Sequence, residues 1–328
     1  MSVLRLVFFG SDPIALPLLD WLTGAGSDCA KVVGVFTQPD RPAGRGQQVV
    51  ANEIKHWALG RGLPVFQPEK IDAAAQADLT ALRPDLALVM AYGHILPDAF
   101  IAVPRLGTLN LHTSLLPRYR GASPIQTAVA CGETETGVSL MRIVRQLDAG
   151  PVADVERVAI APLDTALTVE AKLSAACVPL LARALPRLAT GGLVFAGQDH
   201  AAATFCRRLA KTDGVLDFAR PATELAARIN GLFPWPACTV EIGGQAIKFG
   251  LADAMASDAN EPGVVLGSDH QGLLIATGQG TLRVQRLQRP GGRLLPATEF
   301  LRGFPVAAGT RLASHPMPPL VAKEPFRR

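Results

Sequence analysis

The sequence lacks paired cysteines. Its five (Cys29, Cys131, Cys177, Cys206 and Cys238) are scattered over 328 residues, and no two stand as C-x-x-C. That excludes a zinc knuckle and a disulfide framework, and it reads as incidental or buried thiols in a reducing compartment. The six histidines show no metal-ligand spacing and no H-E-x-x-H, so no metal is expected. Apolar runs of membrane length are also missing. The N-terminal "MSVLRLVFFGSDPIALPLL" is interrupted by Gly10, Asp12 and Pro13 and carries no small-residue cleavage site. It reads as a first core strand of a soluble, cytoplasmic protein with no membrane partner. Strong charge of one sign is absent too: the net charge of +4 permits a polyanionic partner without requiring one. Finally, the turn after the first apolar run, "GSDP", holds only Gly10, and Pro13 removes a backbone donor. A dinucleotide fingerprint needs three glycines to bring backbone against a pyrophosphate, so NAD and FAD are excluded. No G-x-x-x-x-G-K-[ST] occurs either.

What is present is a chain long enough for two domains. Up to about residue 190, the buried-strand runs "RLVFF", "KVVGVF", "DLALVMA" and "GVSLMRIV" alternate with helical patterns over 13–24, 52–62 and 72–82. This alternation predicts an α/β fold, a Rossmann-like, doubly wound, mainly parallel sheet over residues 1–190. The run 165–188 predicts a closing helix that Pro179 and Pro186 should kink or divide. Residues 191–207 are Gly- and Ala-rich and read as a linker. Over 208–312, short strands parted by Gly-Gly, Ser-Asp and Gly-Gln-Gly hairpin signals predict a smaller, OB-like β-barrel. The proline-rich 313–328 reads as a tail without order. Trp235, between two prolines, reads as a packing anchor, and Cys131 as a core residue.

One stretch carries chemistry. In "TLNLHTSLLPRYRGASPIQ" (108–126), Thr108, Asn110 and His112 alternate with Leu109 and Leu111. On a strand this places the polar trio on one face. At the C-terminal end of a parallel strand, an amide and an imidazole can converge on a small ligand. Asn110 can donate to a developing oxyanion, and His112 can donate or exchange a proton near neutral pH. Taken alone, an N-x-H also reads as a polar strand edge. The adjacent Leu-Leu-Pro turn adds an apolar wall of the kind that lines a pocket for a flat heterocycle. Asp148, in "VRQLDAGPV", follows another strand and can orient the imidazole. It reads equally as a turn former before glycine.

The stretches "NLHTSLLPRYRGASPIQTAV" and "ETGVSLMRIVRQLDAGPV" resemble the signature of the folate-dependent formyltransferases. "GVFTQPDRPAGRGQQ", "RGLPVFQPEKI", "AYGHILP" and "GLFPWPACTVEIGGQAIKF" are similar to the members of that family that formylate methionyl-tRNA. The resemblance runs from about residue 3 to about 310. It implies formyl transfer from 10-formyl-tetrahydrofolate to the amine of initiator methionyl-tRNA, without a metal, by a monomer. It places the catalytic residues at Asn110, His112 and Asp148. The pteridine would lie near Ile95, Leu96 and the turn Ser114, Leu115, Leu116 and Pro117. Arg41 and Arg45, on the 34–48 loop, would meet the acceptor end of the tRNA. From 281 to 328 there are nine Lys or Arg against Glu299 and Glu324, a net +7 in a chain of +4 overall. That asymmetry is a polyanion footprint. Arg118 and Arg120 could meet phosphate or the folate glutamate. Two other readings remain: a formyltransferase acting on an amino-sugar nucleotide, and a non-catalytic RNA-binding module on a decayed enzyme scaffold.

Overall fold

A computed structural model describes residues 3–43, 46–258 and 261–326. It divides into two compact units. The first comprises 1–120, 137–158 and 171–203, and the second comprises 121–136, 159–170 and 204–328.

The strands introduced first are β1 (Leu4–Phe9), β2 (Ala30–Phe36), β3 (Arg41–Ala43), β4 (Gln48–Val50), β5 (Val65–Phe66), β6 (Leu86–Val89), β7 (Thr108–His112), β8 (Arg120–Gly121), β9 (Glu135–Arg142) and β10 (Val152–Ala159). The main sheet has the order β10-β9-β7-β6-β1-β2-β5. Pairing is parallel from β7 across to β5, and β9 runs antiparallel to β7. The chain therefore steps outward from β1 to β2 and β5, then returns to the other side of β1 with β6 and β7. That reversal is the doubly wound arrangement, whose crevice opens beyond the C-terminal strand ends. The expected mainly parallel sheet is what the residues form.

Helices α1 (Leu16–Thr23), α2 (Glu53–Leu59) and α3 (Ala73–Ala81) fall where the apolar periodicity predicts them. Asn52 and Asp72 cap α2 and α3 by accepting from their first-turn backbone N–H groups. α4 (Asp98–Ile101) is a single turn. On one side of the sheet, Phe9 stacks on Phe36 at 4.7 Å, with Tyr92 and Phe100 edge-on to Phe9. Each buried ring contributes roughly 2 kcal/mol of burial. After α5 (Pro124–Ala130) comes α6, a single helix over Ala166–Ala189 with both Pro179 and Pro186 inside it. The expected division at the prolines does not occur. Leu173, Cys177, Leu180, Leu181 and Ala184 recur at helical spacing and are buried. That burial outweighs the two backbone donors the prolines remove. Ser174 ties α6 to the first βα turn by donating to the Ile14 carbonyl at 2.5 Å. Among the described residues, no helix is long and apolar enough to cross a membrane.

In the second unit, α7 (Ala222–Leu232) packs on α5 and on a curled antiparallel sheet. The unit's strands are β11 (Phe205–Cys206), β12 (Cys238–Ile242), β13 (Gln245–Met255), β14 (Val265–Ser268), β15 (Leu273–Ala276), β16 (Thr281–Gln288), β17 (Leu294–Pro296) and β18 (Val321–Ala322), with α8 (Ala297–Gly303) between the last two. The sheet order is β12-β13-β16-β15-β14, with β17 also on β16, which makes a half-barrel. Gly243 and Gly244, both at positive φ, form the tight turn between β12 and β13. That is the conformation for which the Gly-Gly signal is suited.

Three expectations change here. Residues of the supposed tail are held in place: β18 pairs with β11, the His315 N–H donates to the Leu216 carbonyl, and Leu320 is buried. Prolines prevent helix but not an extended segment pinned by such contacts. Trp235 is 51% exposed. With Leu167, Phe233 and Pro234 it lines a groove of about 330 Å³ instead of anchoring a core. Cys131, at the end of α5, is exposed.

Candidate active site

β7 carries the polar trio in a central position, with Asn110 opposite Val89 of β6 on one side and Met141 of β9 on the other. Leu109 and Leu111 are buried in the opposite face. Asn110 is half-buried, and its side-chain amide makes no hydrogen bond among the described residues. Its donors are thus available to a ligand.

His112 ends the strand and is 7% exposed. Its Nε2 lies 2.9 Å from the carbonyl oxygen of Tyr119. A carbonyl only accepts, so Nε2 carries hydrogen and donates. The other ring nitrogen, Nδ1, is 3.8 Å from Oδ2 of Asp148. That is too long for a direct hydrogen bond. The structure thus brings the imidazole and the carboxylate together across a sequence separation of 36 residues. Asp148 has φ +48°, a left-handed conformation uncommon outside glycine.

The turn after β7 is built by hydrogen bonds the sequence does not advertise. The Ser139 hydroxyl, on β9 opposite His112, donates to the Ser114 carbonyl at 2.7 Å and accepts from the Leu116 N–H at 3.1 Å. The Ser114 hydroxyl donates to the Arg118 carbonyl at 2.7 Å. These bonds bend the chain back so that Tyr119, at φ +57°, offers its carbonyl to His112. Sequence reasoning missed Tyr119 and Ser139. The first acts through its backbone, and the second sits in what reads as an ordinary strand.

The remaining expected residues are placed as follows. Ile95 is 70% exposed, while Leu96 is buried with Phe9, Phe36 and Phe100. Ser114 is fully buried and shapes the turn, and Leu115, Leu116 and Pro117 are half-exposed. The segments bearing Ile95 and the Leu-Leu-Pro turn leave the C-terminal ends of the adjacent parallel strands β6 and β7. Arg118 is exposed, with its guanidinium 5.2 Å from the Tyr119 ring centre. Arg120 is 1% exposed and turned inward onto Gln198 and His200. Arg41, on the β3–β4 hairpin, pairs with Glu69 at 2.8 Å on an open surface. Arg45 lies outside the described residues. The C-terminal basic excess is partly neutralised within the second unit. Arg283 pairs with Asp253 and Asp269, and Arg311 pairs with Glu261. Arg286, Arg293 and Arg302 are exposed. Among the described residues, no group of three His, Cys, Asp or Glu is arranged to hold a metal.

Comparison with known proteins is consistent along the chain. The family model described as formyl transferase matches residues 4–185, and the formyl transferase C-terminal domain matches 208–305. The methionyl-tRNA formyltransferase of Pseudomonas fluorescens (strain SBW25) is 43% identical over 293 residues, covering 89% of this chain and 91% of that one. The methionyl-tRNA formyltransferase of Ralstonia nicotianae is 41% identical over 327 residues, covering 95% and 99%. Among solved structures, the sugar 3N-formyl transferase WlaRD superposes with a TM-score of 0.63 at 16% identity, over 88% of this chain and 98% of that one. HypX from Aquifex aeolicus in complex with tetrahydrofolic acid gives 0.59 at 15%, over 92% and 47%. At such identities these two likenesses speak for the fold alone. The family models and the relatives above 40% identity establish that this chain belongs to the formyl transferase family.

Proposed function

We propose that this chain transfers the formyl group of 10-formyl-tetrahydrofolate to the free amino group of initiator methionyl-tRNA, with Asn110, His112 and Asp148 as its catalytic residues. The observation that carries the site assignment is the arrangement of an undonated amide, an imidazole held through Nε2, and a carboxylate facing Nδ1. The near-complete coverage by methionyl-tRNA formyltransferases supports the choice of acceptor.

The chemistry follows from these atoms. The methionine amine attacks the formyl carbon, and a tetrahedral oxyanion forms. The Asn110 amide N–H donates to that oxygen, an interaction that typically lowers a barrier by ~3 kcal/mol. The attacking nitrogen must lose a proton, and the Asp148 carboxylate accepts it, directly or through one water. The departing folate nitrogen must gain a proton. Nε2–H of His112 is committed to Tyr119, so Nδ1, which faces Asp148, is the ring nitrogen through which that proton passes. One N–C bond forms and one breaks, and the proton count closes between acceptor and leaving group. Ile95 and the Leu115–Pro117 turn wall the folate, while Leu96 and Ser114 hold the backbone behind it. Arg41 and Arg45 meet the acceptor end of the tRNA, and the exposed arginines of the second unit add backbone contacts. The protein works as a monomer in the cytoplasm.

The test is a formylation assay with labelled 10-formyl-tetrahydrofolate, offering charged initiator tRNA and an amino-sugar nucleotide side by side. Label is expected on the methionyl-tRNA. Label on the sugar alone would replace this reading with the amino-sugar alternative.

A further inference from the structure

The loop that carries Asp148 is held by a residue with no place in the chemistry above. Asp148 is in the left-handed region, and Gly150 follows so tightly that a Cβ there would lie 1.9 Å from the Arg142 carbonyl oxygen. A loop of this shape does not persist by itself, because the left-handed state costs a non-glycine residue roughly 1 kcal/mol or more. Across from it lies Gln198, in the Gly- and Ala-rich segment after α6. Its Nε2 donates to the Asp148 carbonyl at 2.9 Å and to the Gly150 carbonyl at 2.7 Å. Its Oε1 accepts from Nε and Nη2 of Arg120 at 3.2 and 2.7 Å. Both hydrogens and both acceptor sites of the amide are therefore used. The amide has one possible orientation, since a guanidinium only donates and a carbonyl only accepts.

Gln198 is itself anchored. Val152 and Ala196 exchange backbone hydrogen bonds at 2.8 and 2.9 Å, which lays this segment along β10. Asp199 caps the short turn that follows by accepting from the Ala201 N–H. Arg120 is almost fully buried, and its second contact is Nδ1 of His200 at 3.2 Å. Burial pushes the guanidinium's pKa down, and the charge of Asp148 pushes it back up. The cation and the carboxylate thus sense one another electrostatically.

We propose that Gln198 is a positioning residue for Asp148, its amide clamping the two carbonyls of the loop while Arg120 fixes the amide. The inference rests on the role given to Asp148 above. The Gln198 amide is fully engaged with Arg120 and the two loop carbonyls, so its loss should lower turnover by letting the carboxylate drift and should leave substrate binding intact.

The test uses the full chain with Gln198→Glu, Asp148→Asn and the double variant, assayed with 10-formyl-tetrahydrofolate and charged initiator tRNA. Gln198→Glu keeps the partner of Arg120 and replaces the donor with an acceptor facing two carbonyls. A displacement of this kind is expected to cut kcat about 10- to 100-fold. KM for both substrates should stay within about twofold, and the change should have little further effect in the Asp148→Asn background. Unchanged kcat, an effect confined to KM, or a full effect on top of Asp148→Asn would each overturn the proposal. If Gln198→Glu does not fold, Gln198→Met is measured in the same way. Failure of both to fold would make the residue a structural one and also overturn it. Asp148→Asn alone separates the two layers: if it leaves kcat intact, the site reading falls. If it cripples turnover and Gln198→Glu does not, only the clamp falls.

Discussion

Nε2 of His112 donates to the Tyr119 carbonyl at 2.9 Å, and that bond decides how the imidazole is used. It fixes the ring plane and leaves Nδ1 facing Asp148. Replacing His112 by Gln retains a donor for Tyr119 but provides no titratable nitrogen. The expected result is a fall in kcat of about 100-fold or more with tRNA affinity kept, read by parallel turnover and filter-binding measurements. Equal loss of binding would mean that the ring holds substrate and does not serve as a proton carrier.

Asn110→Ala removes the amide proposed to donate to the developing oxyanion. Its expected signature is a drop in kcat of roughly 100- to 1,000-fold with nearly constant KM. A rise in KM at constant kcat would assign Asn110 to ground-state binding.

Ser139→Ala leaves the fully buried Ser114 carbonyl and the half-buried Leu116 N–H without their partner. The expected cost is about 1–3 kcal/mol in urea denaturation. The loosened Leu-Leu-Pro turn should also raise the KM for the folate donor while the KM for tRNA holds. Indifference of the folate KM would show that the turn does not wall the folate.

Much of the candidate site's geometry was legible in the sequence, because polar side chains on one strand face leave a local signature. Asn110 and His112 share a strand face at a spacing of two, and Asp148 follows β9, the strand paired with theirs. The α/β alternation and the Gly-Gly hairpin were readable for the same reason: periodicity and turn chemistry are local. What escaped is long-range or carried by backbone. Tyr119 works through a carbonyl, Ser139 through a hydroxyl inside a strand, and Gln198 across 50 residues from a segment that reads as linker. Leu96 and Ile95 are adjacent, yet one is in the core and the other exposed, and no pattern in "AYGHILP" separates them. The order of the C-terminal residues rests on pairing between β18 and β11, which composition cannot reveal.

The second unit contains a pH-sensitive support. Asp213 is fully buried, held by Arg207 at 2.5 and 2.8 Å and by the Ala210 N–H at 2.7 Å. Burial raises its pKa, but the Arg207 guanidinium and the Ala210 N–H outweigh that, and the net shift is downward. A carboxyl lowered on folding adds stability above its unfolded pKa and loses it as pH falls through the folded value. Asp213→Asn, which leaves Arg207 without its anion, is expected to cost about 3 kcal/mol at neutral pH. It should also flatten the acid side of the stability profile, as followed by urea denaturation at stepped pH. A variant as stable as the parent, with the same acid limb, would remove the pair from the account.

Arg41 pairs with Glu69 on an exposed surface, where such pairs contribute less than about 1 kcal/mol. Arg41→Ala should therefore leave stability unchanged. Substitution of Arg41 or of Arg45 should raise the KM for tRNA well above any change for folate, and each variant should lower the salt slope of tRNA binding by about one. Equal effects on both substrates would place the hairpin away from the tRNA.

The most direct measurement is the single-turnover rate of formyl transfer to charged initiator tRNA by the Asp148→Asn chain, with both substrates saturating. That variant keeps the side chain's shape, removes the charge facing His112 and turns one carboxylate oxygen into an amide donor. A fall of about 100-fold or more is the expected result. A rate equal to that of the parent chain would contradict the claim that the carboxylate and the imidazole act together on the proton.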